Sequence, residues 1–252
     1  MQQEIQHRLS QLEQEHDIHI FYACETGSRA WGFASTDSDY DVRFLYHRPL
    51  RDYLDLFPED EHLNPPIEGL LDITGWDLRK TLRLIAKSNA ALQERLQSPV
   101  LYRDMPEQVV ELRALAAQFF SPRGGGFHYL NLAKTAYEPM KQTGNIKLKS
   151  FFYVLRSLLA CHWIGTRQSM PPMTLEALRE PLSDTNWNKE LDELLALKAG
   201  VDEAFILPAG YDVLHDWITD MLYNAALHVP TLPVANADRR ILTDYFLNWM
   251  KV

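Results

Sequence analysis

Two aspartates one residue apart, Asp39 and Asp41, stand where a polar segment enters an apolar run. Side chains on a β-strand alternate between its two faces. If residues 40–46 form a strand, Asp39 and Asp41 therefore project from the same face. Neighbouring carboxylates repel each other unless a cation lies between them, and Mg²⁺ usually binds one or two protein carboxylates together with substrate phosphates. The spacing therefore predicts a magnesium site that serves a phosphate-bearing substrate.

A third carboxylate, Asp72, lies in the apolar stretch 69–74, which is typical of a strand. An unpaired buried carboxylate is costly, so Asp72 needs either a metal ion or a basic partner such as Arg43. Asp39 and Asp41 also have an alternative to metal binding: they can be turn and cap residues at a solvated strand edge.

A glycine–serine pair, Gly27 and Ser28, precedes these carboxylates and directly follows the apolar run 18–24. The run is rich in β-branched and aromatic residues and predicts a strand. Glycine lets a backbone approach a ligand closely, and the N–H groups at the start of a helix attract phosphate. The pair therefore predicts a turn into a short helix that can bind phosphate. Ser28 can equally be an ordinary N-cap, and the two roles are compatible.

The elements that must position these residues fall into two regions. Three strands, at 18–24, 40–46 and 69–74, are followed from Asp77 onward by helical periodicity. The predicted fold class is α+β, with a small mixed sheet and helices in an N-terminal head over residues 1–88, extending at most to about residue 122. An all-helical C-terminal region follows over residues 123–252, with the triple glycine at 124–126 as a candidate hinge. The helices are predicted at 89–97, 106–119, 126–142, 147–165, 187–206, 211–228 and 237–250.

Three residues of the predicted helix 147–165 share one face, because Lys149, Tyr153 and Arg156 are spaced at i, i+4 and i+7. Such a face can present two cations and an aromatic ring to a triphosphate or a base. A salt bridge and a core tyrosine are the structural alternative.

The charge is unevenly distributed along the 252 residues, whose net charge is −9. An acidic protein is not expected to coat nucleic acid non-specifically. Residues 79–103, however, carry six Lys or Arg against one Glu, and residues 123–156 carry the same balance. A local basic cleft in an acidic protein suits a polyphosphate substrate.

The remaining signals favour a cytoplasmic protein. Cys24 and Cys161 lack metal-ligand spacing and are expected to be reduced, buried thiols. The polar N-terminus has no apolar run of the signal-peptide type. The most apolar stretch, 151–164, is too short to span a bilayer and is interrupted by Arg156, so no membrane association is expected.

Several motifs resemble those of a known family. The segments GSRAWGFASTDSDYDVRFLY, DITGWDLRK and FFYVLRSLLACHWIG are similar to the YcgL/RlaP group, nucleotidyltransferases of the DNA polymerase β superfamily linked to RNA repair. The similarity covers roughly residues 20–180. Before YVLR the family pattern has a second basic residue followed by tyrosine, where this chain has Ser150 and Phe151.

The resemblance implies transfer of a nucleoside monophosphate from an NTP to an acceptor hydroxyl, with release of pyrophosphate. Two Mg²⁺ ions, or Mn²⁺, would clamp the attacking and leaving oxygens. The implied catalytic and metal-binding residues are Asp39, Asp41 and Asp72. The implied nucleotide- and phosphate-binding residues are Gly27, Ser28, Arg29, Lys149, Tyr153 and Arg156, and Arg29, like Arg43, can instead neutralise the acidic cluster.

The acceptor is left open by the sequence. An RNA end fits the resemblance, a protein hydroxyl fits the acidic net charge, and a non-catalytic nucleotide- or partner-binding module is the third alternative. Retention of Ser28 and all three carboxylates speaks against the module, because a decayed member would be expected to lose a carboxylate. The choice of NTP and the oligomeric state are not indicated by any pattern.

Overall fold

The computed structural model of the protein describes residues 1–143, 146–182 and 186–251. It combines a five-stranded mixed sheet with helices, so the predicted α+β class is confirmed. The strands are β1 (His19–Thr26), β2 (Tyr40–His47), β3 (His62–Leu63), β4 (Leu71–Asp77) and β5 (Leu101–Asp104). The helices are α1 (Gln2–His16), α2 (Gly27–Trp31), α3 (Leu50–Tyr53), α4 (Leu78–Ala86), α5 (Ala90–Arg95), α6 (Pro106–Gln118), α7 (Pro122–Thr143), α8 (Leu148–Arg167), α9 (Leu175–Arg179), α10 (Asn188–Ala199), α11 (Asp212–His228) and α12 (Arg240–Met250).

The chain packs as two compact units that are interleaved along the sequence. The first unit comprises Met1–Gly27, Asp39–Phe119 and Asn236–Val252, and the second comprises Ser28–Ser38 and Phe120–Ala235. Because each unit is assembled from separate segments of the chain, the two units do not test where one consecutive domain ends and the next begins. The predicted domains, 1–88 and 123–252, therefore remain a prediction.

The first unit contains the whole sheet, in the order β3-β4-β2-β1-β5. The central strands β2 and β4 are parallel, whereas β1 is antiparallel to both β2 and β5 and β3 is antiparallel to β4. In the β2–β4 register Asp41 stands opposite Asp72. Two residues that are 31 apart in sequence therefore meet at the same level of the sheet.

Both faces of this sheet are covered, because apolar side chains alternate along its strands. On one face α1 packs through Ile5, Leu9 and Leu12, which the helical spacing brings to one side. Its partners on the strands include Val42 and Phe44. The other face is covered by α4, α5, α6 and α12, whose buried side chains form a cluster with those of β1. The strands are thereby fixed from both sides.

The three predicted strands omit β5, which lies between the predicted helices 89–97 and 106–119. Leu101–Asp104 pairs antiparallel with β1, with Tyr22 opposite Asp104. The strand has only four residues and carries two charges, so it shows no apolar run. Its conformation depends on pairing with a distant strand, a tertiary interaction that overrides the weak local signal.

The predicted hinge at the triple glycine is also wrong, because these residues lie within α7. A Cβ at Gly125 would lie 2.9 Å from the Phe120 ring and 3.2 Å from Ile164 of α8. Glycine at this position allows close packing within the second unit and does not mark a bend.

The second unit is built on α7 and α8. Most residues of α8 are buried all round the helix, as expected of a central helix. Phe33 from the segment Ser28–Ser38 packs in the same core, and its ring stacks on Phe152 at 5.0 Å between centroids. Over the described residues, no helix combines the length and the apolar character needed to cross a membrane.

Both cysteines are buried free thiols, as predicted. Cys24 belongs to the core of the first unit and Cys161 to that of the second. Burial raises the pKa of each thiol to about 12. Both therefore behave as small hydrophobic side chains at neutral pH.

Gly75 is required by the packing of the sheet, because a Cβ there would overlap the ring of Phe44, its partner on β2. We expect Gly75→Ala to lower the free energy of unfolding by about 1–3 kcal/mol through overpacking. Gly165→Ala is the control, since a Cβ at this position of α8 meets nothing within 4 Å. It should leave the stability unchanged or raise it by up to about 1 kcal/mol in urea unfolding. Equal effects of the two substitutions would contradict the packing of Phe44.

Candidate functional site

The carboxylates of Asp41 and Asp72 converge on one cation within the first unit. Nη2 of Arg43 donates to Oδ1 of Asp41 at 2.9 Å and to Oδ2 of Asp72 at 2.7 Å. Arg43 follows Asp41 by two residues on β2, so both project from the same face. Arg43 also donates through Nη1 to the backbone oxygen of Asp72 at 3.0 Å. The arginine alternative that the sequence leaves open for Asp72 is therefore realised in this structure.

The donor set of Asp41 and Asp72 fits a magnesium ion. One nitrogen lies within hydrogen-bond distance of both carboxylates, so the two can reach one cation, and each side chain is about 30% exposed. Oxygen ligands of this type and partial access to solvent suit Mg²⁺, which retains water or phosphate oxygens in its shell. Arg43 is the cation that balances the pair here.

Asp39 is exposed and directly precedes β2. Among the described residues, no three Asp, Glu, His or Cys side chains are grouped closely enough to hold a metal ion. The structure thus brings together two of the three predicted ligands. A site that includes Asp39 stays a prediction.

Gly27 is explained by its contact with Asp41. Its backbone has φ +64°, a left-handed conformation that favours glycine, and a Cβ would overlap the Asp41 carboxylate. Glycine at position 27 therefore gives the Asp41 side chain its room. This requirement is additional to any approach of a phosphate to the backbone.

Glu25 is a residue of this site whose role the sequence left unassigned. Its side chain is buried, and its Oε1 accepts a hydrogen bond from the backbone N–H of Asp41 at 2.6 Å. The Tyr102 hydroxyl on β5 donates to the other carboxylate oxygen. Glu25 therefore fixes the start of β2 beside Asp41. The signal that singled out Asp72, a carboxylate in an apolar strand, also applies to Glu25.

A second arginine, Arg95, lies close to the Trp76 ring. Its Cζ is 3.3 Å from the ring centroid, and its Nη1 is buried and has no hydrogen-bond partner among the residues that the structure describes. Burial lowers the pKa of Arg95, the charge of Arg43 lowers this pKa further, and Asp72 opposes the shift. The carboxylate pair therefore interacts with two arginines, one of them largely desolvated.

In the second unit, Ser28 and Arg29 hold the segment Ser28–Ser38 in a closed shape. The Ser28 hydroxyl donates to Oγ of the fully buried Ser38 at 3.0 Å. The same oxygen accepts from the backbone N–H of Ser35 at 2.9 Å, and Arg29 donates to the backbone oxygen of Ser38 at 2.7 Å. Both predicted phosphate-binding residues therefore have a structural role here. Their contact with phosphate stays a prediction.

One lysine contacts this segment directly, and a second is linked to it through Glu203. Lys149 pairs with the carboxylate of Glu203, and the Ser38 hydroxyl donates to the same carboxylate at 3.3 Å. Lys198 is 2% exposed and donates to the Ser35 hydroxyl at 2.6 Å. Burial lowers the pKa of Lys198, and the Glu203 carboxylate opposes that shift.

Lys198 was missed at the sequence level, although α10 carries a signal for it. Leu191, Leu194 and Lys198 follow one another at helical spacing, and all three are buried. A lysine in the apolar stripe of a helix needs a polar partner inside the fold, because a buried charge is costly unless it is paired or hydrogen-bonded.

Tyr153 and Arg156 of α8 both contact Trp31. The Tyr153 ring meets the indole edge-on at 5.0 Å, and the Arg156 guanidinium lies 4.3 Å from the centroid of the indole ring. Arg156 is buried and also donates to the backbone oxygen of Met173 at 3.2 Å. These side chains therefore stabilise the second unit. A role of Lys149, Tyr153 and Arg156 in nucleotide binding stays a prediction.

Arg43→Gln tests the bridge between the two carboxylates. Loss of the cation leaves Asp41 and Asp72 facing each other, and we expect the free energy of unfolding to fall by about 1–3 kcal/mol in metal-free buffer. The double variant Arg43→Gln/Asp72→Asn should recover part of this loss, because it removes one of the repelling charges. Urea unfolding in the presence of a chelator measures both. A single variant as stable as the wild type, or a double variant with purely additive losses, would contradict the bridge.

Comparison with known proteins identifies a family and a relative. A family model described as "RNA repair pathway DNA polymerase beta family", RlaP, matches residues 1–248. The chain is also 41% identical over 219 residues to "Uncharacterized protein YcgL" of Bacillus subtilis (strain 168), with 86% of this chain and 84% of the relative covered.

Proposed function

Since the chain belongs to the RNA repair pathway DNA polymerase beta family, we propose that it is a metal-dependent nucleotidyltransferase. It would move a nucleoside monophosphate from an NTP to an acceptor hydroxyl and release pyrophosphate. The observation that supports this most is the in-register pair of Asp41 and Asp72, whose carboxylates converge on one cation. We assign the sheet to a polymerase β-type catalytic head and the helices from α7 to α11 to its helical region.

Asp39, Asp41 and Asp72 would hold two Mg²⁺ ions, with Mn²⁺ as a substitute. Bound ions would supply charge neutralisation on the phosphates and activation of the acceptor hydroxyl. Glu25 holds the Asp41 backbone, and Gly27 leaves room for its carboxylate. Arg43 neutralises Asp41 and Asp72 and would have to release a carboxylate oxygen that becomes a metal ligand.

The nucleotide is assigned to residues that carry positive charge or hydrogen-bond donors. Gly27, Ser28 and Arg29 would meet the phosphates, and the α8 residues Lys149, Tyr153 and Arg156 would contact the triphosphate or base. Lys198 adds a buried cation beside the segment Ser28–Ser38. Support comes from Lys198, which contacts this segment of the second unit directly, and from Lys149, which is linked to it through Glu203.

The acceptor is proposed to be an RNA end, which agrees with the family description. A protein hydroxyl is the second candidate, because the net charge of −9 disfavours a long polyanion. Both acceptors use the same transfer chemistry, so they differ only in the second substrate.

Release of pyrophosphate tests the transfer itself. In the presence of Mg²⁺ and each NTP, with total RNA or total protein as acceptor, Asp41→Asn and Asp72→Asn should each reduce the rate at least about 100-fold, a loss of about 2.7 kcal/mol. Asparagine keeps the size of the side chain and removes its charge. Asp220→Asn, on an exposed position of α11, is the matched control and should keep the wild-type rate. Activity that survives the first two changes would contradict the metal assignment.

The acceptor can be identified in the same assay. With an NTP labelled at the α-phosphate in a cell lysate, the label should become sensitive to ribonuclease and resistant to protease. The opposite pattern would assign a protein hydroxyl. No incorporation with any NTP, combined with nucleotide binding, would favour a non-catalytic binding module.

A further inference from the structure

A cavity of about 360 Å³ lies between α4 and α12, within the first unit. We call it the α4–α12 cavity. Its apolar surface is formed by Leu82, Ala86, Leu242 and Phe246. Sites for small molecules have volumes of roughly 300–1,000 Å³, so this cavity has the size for one compact group.

Four cations line the same cavity. Arg79, Arg83 and Lys87 follow one another every four residues and therefore share one face of α4 and its C-terminal end. Arg239 joins them from the residue before α12. Arg79 and Arg83 share the Glu61 carboxylate at 2.7 and 3.0 Å. Within the described ranges, no carboxylate forms an ion pair with Lys87 or Arg239, so the cavity has an excess of positive charge.

The aromatic wall of the cavity is held in place by the protein itself. The Phe246 ring meets the Tyr53 ring edge-on at 5.1 Å, and the Tyr53 hydroxyl donates to Asp77 Oδ2 at 2.7 Å. The other Asp77 oxygen accepts from the backbone N–H of Arg79 at 2.7 Å and caps α4. Arg79 in turn lies over the Tyr53 ring at 5.3 Å. An apolar wall and a cation are therefore fixed side by side.

We propose that the α4–α12 cavity binds one nucleotide of single-stranded RNA. Its apolar surface, which includes Phe246, would contact the base, and Arg83, Lys87 and Arg239 would contact the adjoining phosphates. Sites for single strands combine such a surface for bases with cations along the backbone. Arginine also matches phosphate with two parallel hydrogen bonds. Three of the six cations in the basic stretch 79–103 line this cavity, although the whole chain is acidic.

The cavity is separate from the carboxylate pair. Asp72 is the second residue of β4, whereas α4 begins after the strand ends at Asp77. Five residues of extended chain correspond to about 17 Å. The cavity would therefore anchor the body of an RNA at a distance from the reacting end, an inference that rests on the proposed RNA acceptor.

Fluorescence anisotropy with a labelled single-stranded oligoribonucleotide of about ten nucleotides tests this inference. Arg239→Glu should weaken binding at least about tenfold, because it reverses a charge at the phosphate contact. Arg240→Glu is the matched control: it makes the same change one residue away, at a side chain that pairs with Asp238 and does not line the cavity. It should stay within about twofold of the wild type. Equal losses in the two variants would overturn the proposal, because they would reflect general charge.

Three further variants distinguish RNA bound in the cavity from RNA attracted by the general charge of the protein. Lys87→Gln should reduce the slope of log affinity against log salt by about 0.7, the value for one lost contact to a single strand. Thr243→Trp fills the cavity without a change of charge and should abolish RNA binding. Leu247→Trp, at an exposed position of α12 outside the cavity, is its control and should bind RNA as the wild type does. Binding that survives Thr243→Trp would overturn the assignment to the cavity. Displacement of the RNA by free AMP at equal concentration would show that the cavity prefers a mononucleotide and would overturn the RNA strand as its ligand.

The RNA-binding measurements can be separated from the proposed nucleotidyl transfer. Asp41→Asn should bind the oligoribonucleotide as the wild type does, and Arg239→Glu should bind magnesium–NTP as the wild type does in calorimetry. A wild-type protein that releases pyrophosphate but does not bind RNA would overturn the cavity proposal alone. A wild-type protein that binds RNA through the cavity but shows no transfer would support it and contradict the proposed function.

Discussion

The structure depends on the charge balance between two carboxylates that face each other across parallel strands. Two like charges about 4 Å apart repel by about 4 kcal/mol at an effective dielectric constant of about 20. Arg43 bridges Asp41 and Asp72 and removes this repulsion. Glu25 fixes the Asp41 backbone, and Gly27 leaves space for its side chain. A site that must be neutralised by the protein's own arginine is also one in which a divalent cation can take the same role.

Much of this site was predictable because its signals are local. The period-two spacing of Asp39 and Asp41 predicted a strand over residues 40–46, which is confirmed as β2. Asp39 lies just before this strand, and its position on the same face as Asp41 stays a prediction. The apolar stretch around Asp72 predicted a strand, and its pairing with β2 places Asp72 opposite Asp41. The longer helices followed from periodicity, and their ends differ by a few residues, except that the predicted helix 187–206 is wrong after Ala199, where α10 ends. The resemblance to the family was confirmed over residues 1–248.

The sequence did not indicate which residues contact each other across long distances in the chain. Glu25 is held by Tyr102, 77 residues away, and Lys198 by Ser35, 163 residues away. The strand β5 exists through its pairing with β1 and has no apolar pattern of its own. The last helix, α12, packs with the sheet-containing unit although it ends the chain. A residue's own neighbours in sequence contain no information about such contacts, so the α4–α12 cavity could not be predicted either.

The number of Mn²⁺ ions that bind to the protein together with a non-hydrolysable NTP analogue tests the central claim most directly, because it does not require the acceptor. Electron paramagnetic resonance of free Mn²⁺ measures this number for the wild type and for Asp41→Asn/Asp72→Asn. Asp41 and Asp72 are predicted to be metal ligands, so the complex of the wild type with the analogue should bind about two ions, about one more than the analogue alone retains, and the double variant should lose this additional ion. Equal Mn²⁺ binding by the two proteins would contradict the claim and leave Arg43 as the cation that bridges the carboxylate pair.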